Sequence, residues 1–157
     1  MDLQIDDFYR DAAAGLLLLY QAFPRKVTLY VEDLIGPEEP DEFGLPSKRH
    51  QSCLGALLWL ADEGYLRFES TIQHQAIDQT VLTEKAFLRL SSSVPEAMTS
   101  NESLPPSVRR VHSSLAHQLR QALRDGHSEQ LAQLTHRLLG STPTANTERA
   151  RATGDIA

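Results

Sequence analysis

The 157-residue chain has one cysteine and one tryptophan, and only 6 % of its residues are aromatic. The single cysteine, Cys53, excludes a disulfide framework and any cysteine-rich zinc site. No stretch approaches the roughly 20 apolar residues that a bilayer span needs. The first residues, Met1 to Asp7, are acidic where a secretory leader would be basic. These absences predict a cytoplasmic protein with no membrane segment. What the chain does have is a hydrophobic share of 41 %, enough to build a core. Its length suits one compact domain, or a domain with an appended element.

Catalytic signatures are missing as well. There is no Gly-rich phosphate loop ending in Lys-Ser or Lys-Thr, no Gly-x-Ser-x-Gly elbow, no His-Glu-x-x-His pair and no Gly-x-Gly-x-x-Gly turn. Six histidines raise the question of a metal. However, His112 and His117 are five apart, which puts them on different sides of a continuous helix, and His127 follows a Gly break. Convergent ligands of fixed geometry are not in view, so the reading is no metal and no cofactor. The acid pairs Asp6-Asp7 and Asp62-Glu63 fall at helix ends, where capping accounts for them. Cys53 falls on the inner face of its helix, where a free thiol is inert. A non-catalytic protein is expected.

The net charge of −6 is unevenly spread. Residues 1–46 hold ten acids against three bases, residues 47–90 are balanced at five each, and residues 91–157 carry seven Arg against six acids. A phosphate-binding surface gains affinity from each counterion it releases, so the first segment is a poor candidate for one.

The apolar periods predict the elements. Phe8, Ala12, Leu16, Leu19 and Phe23 form one face of a first helix capped by Asp6 or Asp7 and ended by Pro24. A second row, Tyr9, Ala13, Leu17 and Tyr20, lies on another side, so that helix should be covered twice. Val27 to Tyr30 is β-prone, and Val31 to Ile35 gives a short helix. An acidic turn-rich loop, residues 37–44, follows with Glu38, Glu39, Asp41 and Glu42. Ser47 caps a helix with Cys53, Leu54, Leu57 and Leu60 inside, and Gly64 stops it. The period then changes to two: Leu66 and Phe68, then Ile77, Val81 and Leu82, flank a hairpin tip at Ile72 to Gln75. Thr83 caps the next helix. Residues 91–106 are rich in Ser and Pro and read as a linker. A helix from Ser107 carries Val108, Val111, Leu115 and Leu119, Asp125-Gly126 breaks it, and Ser128 caps a last helix ending near Leu139. The tail, residues 140–157, lacks any period and is expected to be disordered.

The run Ala56-Leu57-Leu58-Trp59-Leu60-Ala61-Asp62-Glu63-Gly64-Tyr65-Leu66, followed by Val81-Leu82-Thr83-Glu84-Lys85, resembles the winged-helix superfamily in the style of small bacterial regulators. The resemblance covers about residues 5–90. It implies an α+β fold: a winged helix-turn-helix domain, here followed by a C-terminal helical hairpin over residues 107–139. It also implies double-stranded DNA as a partner and transcription regulation as the role. The helix from Ser47 would then enter the major groove, with Lys48, Arg49, His50, Gln51 and Ser52 at its start and Arg67 touching the backbone from the hairpin. The apolar stripe of Leu115 and Leu119 and the row of Tyr9, Leu17 and Tyr20 should bury each other, within one chain or across a two-fold homodimer.

Departures from the family pattern support a different use of the same scaffold. Between Arg67 and Lys85 the hairpin has no base, and the acidic loop would stand beside the recognition helix. Leu58 and Trp59 occupy positions usually polar in the family. With Glu38, Glu39, Asp41 and Glu42 they would suit a protein-interaction adaptor. The plain alternative for Trp59 is packing against the hairpin strands or the C-terminal helices. A last candidate is the row Arg110, His117, Arg120 and Arg124, which falls on one side of a continuous helix and reads as a solvated basic face.

Overall fold

The computed structural model describes residues 3–140, so the expectation for the tail concerns residues that, from 141 on, lie outside the described ones. In chain order the elements are α1 (Leu3–Ala22), β1 (Val27–Tyr30), α2 (Val31–Ile35), α3 (Lys48–Asp62), β2 (Leu66–Arg67), β3 (Ser70–Ile72), β4 (Ala76–Leu82), α4 (Glu84–Ser91), α5 (Pro95–Ser100), α6 (Pro106–His112), α7 (Leu115–Asp125) and α8 (Ser128–Leu139). The class is α+β, with helices packed around a small antiparallel sheet. No helix among the described residues is long and apolar enough to cross a membrane.

Strand β4 lies at the centre of the sheet, with β1 on one side and β2 and β3 on the other. β2 and β3 share one register on β4, from Leu66 opposite Leu82 to Ile72 opposite Ala76. They are one strand interrupted at Phe68-Glu69, where the Glu69 N–H still donates to the Asp78 carbonyl at 3.0 Å. Gln73 and His74 close the hairpin with φ of 46° and 59°. That left-handed pair matches the twist of the flanking strands, although neither residue is the Gly or Asn that usually marks it. Gln79, with φ of 53°, is a bulge in β4 where the register against β1 shifts between Val27 and Leu29.

Helix α1 is the centre of the molecule. Ala12, Leu16 and Leu19 are buried and so are Ala13 and Leu17, because α3 covers one side and α7 and α8 cover another. Gly15 lets α3 come close: a Cβ there would stand 2.9 Å from Leu57 Cδ2. The helix already begins at Leu3, so Asp6 and Asp7 sit inside its first turns and not at its cap. Elsewhere the caps follow the sequence. Ser47 Oγ accepts from the His50 N–H and Thr83 Oγ1 from the Ala86 N–H, while Gly64 (φ 80°) and Gly126 (φ 70°) end α3 and α7 in the left-handed region. Ser128 lies one residue inside α8, with His127 at its cap.

The C-terminal third departs most from the periodic reading. The helix expected to run on from Ser107 is broken at Ser113-Ser114, leaving Val108 and Val111 exposed on α6. Serine competes for its own backbone: Ser114 Oγ donates to the Val111 carbonyl at 2.8 Å and accepts from the His117 N–H at 3.2 Å. The expected linker at 91–106 contains α5, started by Pro95 in its first turn, with Val94 and Ala97 buried. These two junctions meet. The Val94 N–H donates to the Ser113 carbonyl at 2.7 Å and the Leu115 N–H to the Ser92 carbonyl at 2.8 Å.

One cluster of buried residues runs from Ala12 to Leu138, so residues 5–90 and 107–139 share a single core. Leu17, Leu115 and Leu119 are buried in it, Tyr20 stacks on Phe87, and Tyr9 Oη bonds His136 Nε2 at 2.6 Å. The apolar stripe of the last two helices is thus covered by α1 of the same chain. At the far end, Tyr65 Oη donates to the Leu139 carbonyl and Arg89 Nη1 to the Leu138 carbonyl, satisfying groups that a helix C-terminus leaves open.

Candidate functional site

The start of α3 is built from side chains that mostly bond inward. Ser47 Oγ donates to the Glu38 carboxylate, which folds the acidic loop back onto the helix start. The Asp41 carboxylate accepts from the Phe43 N–H at 3.0 Å and the Leu45 N–H at 2.8 Å, closing the tip of that loop. Glu38, Glu39, Asp41 and Glu42 are all exposed. Phe43 is 83 % exposed and Leu45 57 %, so the loop offers apolar surface as well as charge.

Six residues were expected to face a nucleic acid. Lys48, Ser52 and Arg67 are exposed. Arg49 turns inward instead, its Nη1 2.5 Å from Asp11 Oδ2 and its Nη2 2.6 Å from Asp11 Oδ1, with Asp7 at 3.9 Å. Asp11 is buried in the first helix. The paired hydrogen bonds hold the guanidinium charged, raising its pKa further above its usual range against the opposing effect of burial. His50 Nε2 lies 2.7 Å from the His74 carbonyl oxygen and ties α3 to the β3–β4 turn. Gln51 Nε2 donates to the Pro46 carbonyl at 3.0 Å. Three of the six are therefore engaged within the chain.

The exposed row of α3 is mixed (Lys48, Gln51, Ser52, Gly55, Trp59 and Asp62), and an apolar hollow opens along one side of it. Leu45, Pro46, Leu54, Gly55 and Leu58 line a groove of about 380 Å³, edged by His50, Gln51 and His74. A Cβ added at Gly55 would meet nothing within 4 Å, so the floor is open at its middle. Trp59 lies one helical turn beyond Gly55, 41 % exposed, with Phe8 edge-on at 5.3 Å. That contact sets its ring against α1. Leu45, Pro46, Leu54 and His74 were not singled out from the sequence as groove residues. The signal available was Gly55 itself, since glycine inside a helix costs about 1 kcal/mol relative to alanine and asks for a reason.

On the inner side of α3, Cys53 is fully buried and burial pushes its thiol up to about 12, which leaves it without nucleophilic character. A polar cavity of about 770 Å³ lies between α5, the α6–α7 break and α8. There the break brings the His112 and His117 rings to 4.5 Å, correcting the expectation that they diverge. His117 Nε2 is buried with no hydrogen-bond partner. Burial, then His112, Arg120 and Arg124, lower the pKa of His117 and favour the neutral ring. The same break puts Arg110 on α6, apart from Arg120 and Arg124 on α7, so the basic row is not one helix face. Among the described residues no three His, Cys, Asp or Glu side chains gather as metal ligands would. Compared with known proteins, the chain matches no family model, no curated protein and no solved structure.

Proposed function

We propose that the chain is a non-catalytic adaptor on a winged-helix scaffold, binding a protein partner on the outer face of α3. The scaffold reading is supported by the order helix, strand, short helix, longer helix and hairpin, with β4 between β1 and β2–β3. One observation carries the function: along the exposed side of α3 opens an apolar groove lined by Leu54, Gly55 and Leu58. Apolar floors with a polar rim are the anatomy of protein interfaces, and the half-exposed Trp59 beside it is a fitting anchor. The acids 38–42 at the start of α3 repel phosphate, and Arg49 is already paired.

A small DNA-binding regulator is the second reading, favoured by the exposure of Lys48, Ser52 and Arg67. The two differ in their response to salt. Titration into labelled mixed-sequence duplex should give no binding that is strong at low salt and lost in Lys48→Ala; such binding would replace the adaptor by the regulator. Affinity capture from an extract of the source cells should yield a partner that Leu58→Asp loses. A partner retained equally by Leu58→Asp would remove the groove from consideration.

A further inference from the structure

Resting on that docking reading, we propose that the partner segment seated in the α3 groove is a basic amphipathic helix. The floor of the groove is α3, whose backbone groups are bonded within the helix, so it offers no ladder to an extended peptide. A strand laid there would leave its own N–H and C=O groups facing apolar side chains, at a cost a helix avoids by bonding internally. Leu54 and Leu58 stand one turn apart, and Gly55 beside them leaves the space next to the pair without a side chain. Apolar side chains spaced by one turn on a partner helix can drop into that gap, the helix-in-groove mode of recognition.

Charge selects the sign of the partner. The apolar groove continues into a second hollow of about 350 Å³, sharing Leu45, Pro46, His50 and His74 with it and lined by Glu32, Glu38 and Glu39. Asp41 and Glu42 follow in the same exposed loop, and Lys48 is the exposed base at the helix start. A helix with its apolar stripe in the groove would therefore carry its flanking residues past a row of exposed carboxylates. Lysine or arginine is stabilised there and glutamate is repelled. Phe43, almost wholly exposed at the loop tip, adds apolar surface to that loop.

The test uses the full chain and two labelled 18-residue peptides with leucines at the same helical spacing, one filled with lysine and one with glutamate. Fluorescence anisotropy at physiological salt should show the Leu/Lys peptide binding at least about tenfold more tightly than the Leu/Glu peptide. Gly55→Gln fills the groove and replaces a weak helix former with a better one, and its Cβ would meet nothing within 4 Å, so the protein should stay folded and lose the peptide. Glu39→Gln/Glu42→Gln leaves the Ser47–Glu38 contact and the Asp41 turn in place. It should weaken the Leu/Lys peptide by about three- to tenfold, as expected for two exposed ion pairs. Equal binding of the two peptides, lost in Gly55→Gln, would overturn the basic class while leaving a groove that takes helices. Binding of the Leu/Lys peptide that survives Gly55→Gln would be attraction to the acidic surface at large and would overturn the proposal. Failure of both peptides would also overturn it, whereas the docking reading stands or falls on the Leu58→Asp capture.

Discussion

Replacing Arg49 by methionine removes the guanidinium that holds the buried Asp11 carboxylate through two short bonds. Removing one partner of a buried ion pair typically costs about 3–5 kcal/mol, because the other charge is left unpaired. The Arg49 side chain is 28 % exposed, so water can reach part of the vacated site and the expected loss is ~2–3 kcal/mol. At this chain length that corresponds to a fall in Tm of about 5–10 °C. Changing both partners, Asp11→Leu with Arg49→Met, removes the orphaned charge, and such double replacements are often close to neutral. The double variant should therefore be more stable than Arg49→Met alone. Urea denaturation followed by circular dichroism and by Trp59 fluorescence gives both numbers and checks that the transition is two-state. An Arg49→Met loss below about 0.5 kcal/mol, or strict additivity of the two changes, would refute the account. It would return Arg49 to the list of side chains available to an external ligand.

Two further outcomes follow from the packing. Leu17 is buried against the C-terminal helices of its own chain, so Leu17→Glu should cost about 3 kcal/mol or more. Its Tm should not vary with protein concentration; a concentration-dependent loss would mean that this surface meets a second copy. His117 has a lowered pKa in the folded protein, so the unfolded chain takes up the proton first as the pH falls. The stability that the neutral ring contributes is present above its unfolded pKa of roughly 6.5 and is lost as the pH falls through the folded value. His117→Gln should flatten the stability profile on the acid side of neutrality, and an unchanged slope would refute the assignment.

The elements that local chemistry dictates were legible in the chain. Ser47, Thr83, Gly64 and Gly126 mark helix ends through backbone geometry, and each marks one here. The change of period at Leu66 gave the sheet. What could not be read was a turn or break imposed from elsewhere. An apolar stripe continues across Ser113-Ser114, and the break takes its place from the Ser114 cap together with the pairing to Ser92 and Val94. The inward turn of Arg49 does leave a trace in the sequence. Arg49 lies on the same stripe as Cys53, Ala56 and Leu60, and Asp11 lies among the buried residues of α1. Opposite charges on two apolar faces that must meet are a readable sign of a buried pair. The groove was half visible, as Leu58 and a mid-helix glycine, but its walls come from the loop before α3 and the hairpin tip.

The two bonds that join residues 92–94 to residues 113–115 are made entirely by the main chain. A clasp of that kind is indifferent to side-chain identity, save that positions 94 and 115 must keep an N–H and so cannot become proline. Substitutions in the neighbouring polar cavity leave that clasp in place, although a change at His136 would still remove its bond to Tyr9. At this junction the chain is held by main-chain bonds that most side-chain changes leave intact.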